Sequence, residues 1–297
     1  MTTNISIIIP TFHRQESLLR LLKSLAGQTG VKSEVIVVEQ GENNGKEIER
    51  EGRKLGLEVH YIYLPKPSMT HARNVGAATA KGDYLLFLDD DVVAHPGLLT
   101  AHMKNFQDPR VGATVGRAIT PGQSIEDKRT DTGRVTLFGV TEGYSSNIHQ
   151  EVDTVIGCNM CWKVNVYKKL GGVDEQFTGN ALREETDLSL RAKKIGYKII
   201  FEPKAVVEHL RADSGGARKT EGRIQWYFDF FSNESYFFLK HKPALLLPIY
   251  LLTKMNWALR CMFGFGREVS VRSIFTPKLG ILDGMKKYWR FTHENRR

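Results

Sequence analysis

The sequence is poor in cysteine. Three cysteines in 297 residues are an odd number at low density, which excludes a disulfide framework and makes a reducing cytosol the expected compartment. Long apolar runs are missing too. The leucine-rich tract Ala244–Leu252 is nine residues long and carries Pro248, and Lys254 and Arg260 interrupt the stretch after it. A spanning helix needs about twenty apolar residues, so a transmembrane segment is excluded. The opening MTTNISIIIP has no basic stretch before its short apolar run and no small-residue cleavage site after it, so a signal peptide is not expected. Neither G-x-G-x-x-G nor G-x-x-x-x-G-K-S/T occurs, which removes the usual support for dinucleotide and P-loop chemistry. Internal repeats and low-complexity tracts are also lacking.

What is present is ordinary for a globular protein: 41% apolar and 25% charged residues. Disordered, collagen-like and multi-span membrane chains are thereby ruled out. The length allows one large domain or two smaller ones. The net charge of +9 is unevenly placed. Residues 1–215 balance, and residues 216–297 hold 15 Lys and Arg against six Asp and Glu. Such asymmetry points to an anionic surface, or to a basic helical tail that is merely soluble.

The first 110 residues have a clear rhythm. Ile5–Ile9 is a β-branched run that stops at Pro10, the pattern of a buried parallel strand. Leucines spaced for a helix fill Glu16–Leu25. Strands are then predicted at Glu34–Val38, Val59–Tyr63 and Tyr84–Leu88, with helices at Lys46–Leu55 and Thr70–Ala80 between them. Parallel strands need helical crossovers, so this alternation predicts an α/β fold with a mostly parallel sheet. Farther on, β-like pieces occur at Val111–Val115 and Val135–Val140. Thr154–Trp162 reads as a strand, residues 183–195 as a helix, and Lys198–Phe201 and Ala205–Val207 as two short strands. The tail is aromatic and helical.

Ligands in such sheets bind outside the carboxyl ends of the strands. Three loops there carry Thr11–Arg14, Glu39–Asn43 and Asp89–Asp91. Three consecutive aspartates repel one another and resist desolvation. A hard divalent cation relieves this, taking one or two carboxylates and completing its shell with substrate phosphates. A solvated acidic turn, or a cap for a helix beginning near His95, is the plainer reading of the same triplet.

Taken in order, Ile7-Ile8-Ile9-Pro10-Thr11-Phe12-His13-Arg14, Val37-Val38-Glu39-Gln40-Gly41, Ala72-Arg73-Asn74-Val75-Gly76 and Phe87-Leu88-Asp89-Asp90-Asp91 resemble a family 2 glycosyltransferase of GT-A fold. Gly157-Cys158-Asn159-Met160 and Arg183-Glu184-Glu185-Thr186-Asp187-Leu188-Ser189-Leu190-Arg191 match the acceptor-side motifs of that family. The resemblance covers about residues 5–211. It implies a GT-A catalytic domain over 1–215, with a nucleotide-sugar half near 1–110 and an acceptor half near 111–215. Residues 216–297 form a helical extension.

By the same resemblance, Pro10, Thr11 and Arg14 line the nucleotide site. Glu39, where the family usually has Asp, faces the nucleobase and accepts from a uracil or thymine N3–H. Arg73 approaches the base or phosphates. Asp89 and Asp90 sit near the ribose, and Asp91 ligates Mn²⁺ or Mg²⁺. His209 falls where relatives hold a histidine near the metal, although a histidine after a strand is also an ordinary loop residue. Cys158, Asn159 and Met160 lie on the acceptor side. Glu185 is the expected general base, with Glu184 beside it and Asp187 as a rival that more simply sets up the helix start. At a helix N-terminus the dipole favours the ionised carboxylate a base needs. The implied reaction is metal-dependent, inverting transfer from a UDP- or dTDP-sugar to a glycan or lipid-linked hydroxyl in cell-surface polysaccharide synthesis.

The pair Cys158 and Cys161 has C-x-x-C spacing, but a zinc site wants a second pair and only Cys261 remains. Packing is the better reading. His71 and His95 lack ligand spacing, and Ser6, Ser24 and Ser68 lack a nucleophile elbow. In the tail, Lys242, Lys254, Arg260, Arg267 and Arg272 suit an in-plane helix on anionic lipid, giving a cytoplasmic and peripheral location. A helical lid is the compatible alternative. The loop Asp213–Arg218 is expected to close over the diphosphate, with Arg218 reaching the phosphates. Two rival functions stand beside this one. A nucleotidyltransferase would want a Gly-rich loop after the first strand, where Pro10-Thr11-Phe12-His13-Arg14 has no glycine. A non-enzymatic membrane or nucleic-acid module would leave the acidic clusters without a task, and no nucleic-acid motif is present.

Overall fold

The computed structural model describes residues 4–122, 129–137, 139–210, 222–263 and 271–294. Arg218 and the whole loop Asp213–Arg218 lie outside the described residues. The body is one mixed sheet. Its strands are β1 (Asn4–Phe12), β2 (Lys32–Gln40), β3 (Val59–Leu64), β4 (Tyr84–Leu88), β5 (Val92–Ala94), β6 (Val111–Ile119), β7 (Gln150–Val152), β8 (Asn159–Lys163) and β9 (Lys198–His209). They run in the order β3-β2-β1-β4-β8-β6-β9-β5, and β7 pairs with β9. The predicted parallel block is present, with β1 parallel to both β2 and β4 and β2 parallel to β3. Beyond β4 the sheet is mixed: β8 is antiparallel to β4 and β6, and β6 is parallel to β9.

Helices α1 (Gln15–Leu25), α2 (Gly45–Lys54), α3 (Met69–Thr79), α4 (Leu98–Lys104), α5 (Val164–Lys169) and α6 (Glu184–Lys194) cover the sheet. Strand alternation decides which side chains go where. Ile5, Ile7 and Ile9 face one layer with Leu18, Leu21, Leu22 and Leu25 of α1. Ile8 faces the other, with Ala72 and Ala77 of α3 and Leu188 and Ala192 of α6. Both faces are buried, which is why Ile7, Ile8 and Ile9 of β1 run consecutively apolar rather than alternating.

Three expectations changed. The strand predicted at Thr154–Trp162 begins only at Asn159. Val135 and Val140 form an isolated antiparallel bridge and no strand. The two short strands around Pro203 are one strand, β9. The proline fits because the β6–β9 register jumps there, from Gly116 opposite Glu202 to Arg117 opposite Val206. A bulge tolerates a residue that cannot donate to the ladder.

Three further helices complete the described chain: α7 (Gly222–His241), α8 (Leu247–Phe263) and α9 (Val271–Glu294). Pro248 sits in the first turn of α8, where its missing N–H costs nothing. Helix α9 lies close on α7. A Cβ on Gly280 would stand 2.5 Å from the Phe228 carbonyl oxygen, and one on Gly284 2.4 Å from that of Ser232. Among the described residues, no helix is long and apolar enough to cross a membrane.

A polar seam joins α7 to the body. Asp187 of α6 is fully buried and meets Arg191 Nε at 2.8 Å, Lys240 Nζ at 2.8 Å and His241 Nε2 at 2.7 Å. Burial alone would raise its carboxyl, but the His241 hydrogen bond and the three cationic partners hold it far below the usual range. Asp174 accepts from Tyr236 and Lys240, both at 2.6 Å. Lys254, expected to face lipid, turns inward instead. It lies 3.6 Å from buried Glu234 and over the ring of Tyr250. The side chains of Arg260, Arg267 and Arg272 lie outside the described residues.

Candidate active site

The carboxyl ends of β1, β2 and β4 converge on one cleft. Because β1 and β4 pair in parallel with Ile8 opposite Phe87, the chain after β4 arrives beside the end of β1. Thr11 donates from Oγ1 to Asp90 Oδ2 at 2.7 Å. Arg14 donates from Nη1 to Asp90 Oδ1 at 3.0 Å and to Asp91 Oδ2 at 3.1 Å. Asp90 is buried, and loss of hydration pushes its carboxyl up to about 6 despite Arg14 and Thr11. Pro10 is buried in β1 opposite Val38. The structure therefore makes Asp90 an anchor for the loop and leaves Asp89 partly exposed.

The tail end of the triplet meets β9. Strand β5 begins immediately after Asp91 and pairs antiparallel with β9, which sets His209 opposite Val92. The Leu210 N–H donates to the Asp91 carbonyl at 2.9 Å. His209 Nε2 thus stands 3.1 Å from Asp91 Oδ1. One ligand atom from each of Asp89, Asp91 and His209 lies within 4.8 Å of the others. Donors so spaced suit a single divalent ion, since metal–ligand distances are about 2.2 Å. Two carboxylates and an imidazole are a donor set that such an ion accepts.

Arg73 joins this cluster to the second acidic pair. Helix α3, capped by Ser68 accepting from the His71 N–H at 3.3 Å, carries Arg73 inward. Its guanidinium donates to the Gly157 carbonyl at 3.2 Å, lies 3.5 Å from Asp89 and pairs with Glu184. A side chain at Gly157 would collide with it, since a Cβ there would sit 2.6 Å from Nη2. Glu184 is buried and committed to this pair, with its Oε2 buried and without a hydrogen-bond partner. Glu185, next in the chain, is half-buried. Its carboxyl is raised by lost hydration, which outweighs Arg73, its own backbone N–H and Arg183. That direction is the reverse of what the helix end alone would give. Asp89 and Glu184 both lie against the Arg73 guanidinium, so the two acidic groups are neighbours.

The backbone is strained around this cleft. Among the described residues, three non-glycine residues have positive φ: His13 at 54°, Ala181 at 50° and Arg183 at 77°. The last two lie in the short turn that leads into the Glu184–Glu185 pair. Arg183 is held by Glu234 of α7, which accepts from its Nε at 2.9 Å and Nη2 at 2.7 Å. Tyr250 of α8 donates to the other oxygen of Glu234.

At the end of β2, Glu39 is buried. It accepts from Tyr61 at 2.7 Å and from the Asn44 amide group at 3.4 Å. Neither Tyr61 nor Asn44 stood out in the sequence. The alternation of β3 opposite β2 was the available signal for Tyr61. Glu234 was also missed, and its signal was that it is one of two acids, with Asp229, in an otherwise aromatic stretch. Cys158, Asn159 and Met160 are buried. Met160 packs in the core and Cys158 in the layer below. Asn159 donates to the Ala205 carbonyl at 2.9 Å and accepts from His102 Nε2 at 2.9 Å. Cys158 and Cys161 are both free and buried.

The sheet end thus gathers an acidic triplet with a histidine and, across Arg73, a carboxylate pair. The family model "Glycosyl transferase family 2" matches residues 6–171, more than half of the chain, and the chain belongs to that family. It is similar to the pre-mycofactocin glycosyltransferase of Mycobacterium tuberculosis, at 26% identity over 215 residues, covering 69% of this chain and 42% of that protein. The chain thus spans less than half the length of that relative. Among solved structures, Staphylococcus aureus TarS in complex with UDP-GlcNAc superposes with a TM-score of 0.65 at 16% identity, covering 96% of this chain and 82% of that one. The mannosyltransferase PcManGT of Pyrobaculum calidifontis, in complex with GDP-Man and Mn²⁺, gives 0.55 at 15% identity, covering 96% and 86%. At such identities these likenesses establish the fold.

Proposed function

We propose that this protein transfers a sugar from a nucleoside-diphosphate donor to a hydroxyl of a glycan or lipid-linked acceptor, with inversion at the anomeric carbon. One observation carries the reading. Arg73 spans a single cleft, from the trio Asp89, Asp91 and His209 to the pair Glu184 and Glu185. The UDP-GlcNAc and GDP-Man bound by the two structural neighbours agree with a nucleotide-sugar donor. Glu39 favours uracil or thymine, because a carboxylate accepts from N3–H. Tyr61 and Asn44 fix its direction and leave it lone pairs to accept with.

Asp89, Asp91 and His209 would hold Mn²⁺ or Mg²⁺, which supplies positive charge opposite the departing diphosphate. Arg14 and Arg73 add fixed positive charge on the same side. Glu185 takes the proton from the acceptor hydroxyl as its oxygen bonds to the anomeric carbon, and the bond to the diphosphate oxygen breaks with its electron pair. Its raised affinity for protons, with Glu184 tied to Arg73, makes Glu185 the better base of the two. The domains divide the work: residues 1–110 for the donor, 111–215 for the acceptor, and the extension 216–297 for support and for peripheral attachment at the cytoplasmic face of a membrane.

Glu185→Gln is the decisive variant. Transfer falls by at least about a hundredfold, the usual scale for a lost general base, and donor affinity by calorimetry stays near wild type. If Glu185→Gln keeps most of its activity and Glu184→Gln does not, the two roles are exchanged. Release of pyrophosphate rather than nucleoside diphosphate would assign the protein to nucleotidyl transfer instead.

A further inference from the structure

Helix α9 packs Ile281, Tyr288 and Phe291 on the body and presents five other apolar side chains outward. Its inner face is fixed by Gly280 and Gly284 against α7 and by Lys287, which donates to Thr178 Oγ1 and Ser232 Oγ at 2.8 Å. A 3.6-residue period then turns one continuous stripe away from the body. On that stripe Phe275, Leu279, Leu282, Met285 and Trp289 are 43–60% exposed. Single exposed apolar residues are common, but five on one helix face are a contiguous patch that marks an interaction surface.

The polar residues on the stripe identify the partner. Lys278, Lys286 and Arg290 are exposed among the five apolar side chains. The acid Asp283 does not balance them, because it is turned to Ser232 at 2.7 Å and Lys287 at 3.3 Å. An apolar face interleaved with cations, with a tryptophan near one end, is the composition of a helix that lies in the plane of an anionic bilayer. A second copy of this chain docking face to face would oppose three cations with three cations, a repulsive contact.

We propose that the outward face of α9 docks this protein on an anionic phospholipid surface, with the five apolar side chains at acyl depth and Lys278, Lys286 and Arg290 among the headgroups. This places the lipid contact on α9 rather than on the earlier tail segment, where Lys254 is turned inward. Docking does not depend on the transfer reaction, so either can fail while the other stands.

The test is flotation of the full chain with phosphatidylcholine vesicles, with and without phosphatidylglycerol, at low and high salt. The proposal expects co-flotation only with phosphatidylglycerol, released by salt. The double variant Leu282→Glu/Trp289→Glu should lose at least about tenfold in partitioning, as removal of apolar anchors requires. A second variant, Lys286→Glu/Arg290→Glu, should lose binding while keeping the apolar stripe. An unchanged thermal midpoint and unchanged turnover on a water-soluble acceptor show that both variants are folded. No co-flotation at low salt overturns the proposal, as does equal binding to vesicles without phosphatidylglycerol or wild-type binding by both variants. A dimer in solution that Leu282→Glu/Trp289→Glu dissociates would give the face to a second copy and overturn it too.

Discussion

His102 makes a quantitative pH test of the core beneath the site. It is fully buried, with Nδ1 2.7 Å from Thr114 Oγ1 and Nε2 2.9 Å from Asn159 Oδ1. The Asn159 amide nitrogen donates to Ala205, so its oxygen faces His102 and Nε2 carries the proton. Nδ1 then accepts from the threonine hydroxyl, and the ring is neutral. Burial pushes its pKa down from 6.5 to about 4. A depressed folded pKa contributes stability that is present above 6.5 and lost as the pH falls toward 4. At about 1.4 kcal/mol per unit, the whole effect is about 3 kcal/mol, and about 2 kcal/mol of it falls between about pH 7.5 and about pH 5. Urea unfolding at those two pH values should show that loss in the wild type. In His102→Gln, which cannot titrate, the pH-dependent loss should shrink by about 2 kcal/mol, whatever the variant's absolute stability. Following the ring by NMR checks the cause directly. A His102 that titrates near 6.5, or an unchanged pH slope in His102→Gln, refutes the reasoning.

Other perturbations have equally definite outcomes. Asp187→Asn removes the buried anion that Arg191, Lys240 and His241 share and should cost about 3–5 kcal/mol by denaturant unfolding at neutral pH. Because the wild-type carboxyl is held low, its contribution is present above the normal carboxylate range and lost on strong acidification, so the gap to the variant should narrow there and not widen. Gly157→Ala pushes the Arg73 guanidinium off both acidic clusters; kcat/KM should drop by about tenfold or more while the thermal midpoint moves little, and unchanged kinetics would remove Arg73 from the mechanism. Asp91→Ala should abolish Mn²⁺-dependent donor binding in calorimetry, and undiminished binding would remove the metal site from the reading.

The parallel half of the sheet was legible because β1, β2 and β4 are buried on both faces and carry the consecutive apolar runs Ile7–Ile9, Val35–Val38 and Leu85–Leu88. Strands β5 and β7 were not, since three residues carry no periodicity and each exists only by pairing with β9. Pro203 hid the continuity of β9, because a proline argues against a strand unless the partner's register shift is known. Asp91, His209 and Glu185 were all singled out by the family resemblance; the contact of His209 with Asp91 comes into view only with β5 and β9 side by side. Glu184 and Glu185 look alike in the chain. Only their surroundings separate them, one tied to Arg73 and the other left with a raised carboxyl.

The seam between α7 and the body limits how the protein can be rebuilt. Asp187, Arg183 and Asp174 are paired with Lys240, His241 and Glu234, and Asp174 also accepts from Tyr236; all four partners belong to the extension. A chimera spliced near residue 216, with a foreign tail grafted on to change acceptor or address, would leave Asp174 and Arg183 without these partners and buried Asp187 with Arg191 alone, beside the start of α6. Any such graft must carry the partner side chains of α7 with it, or its maker will mistake a collapsed helix start for altered specificity.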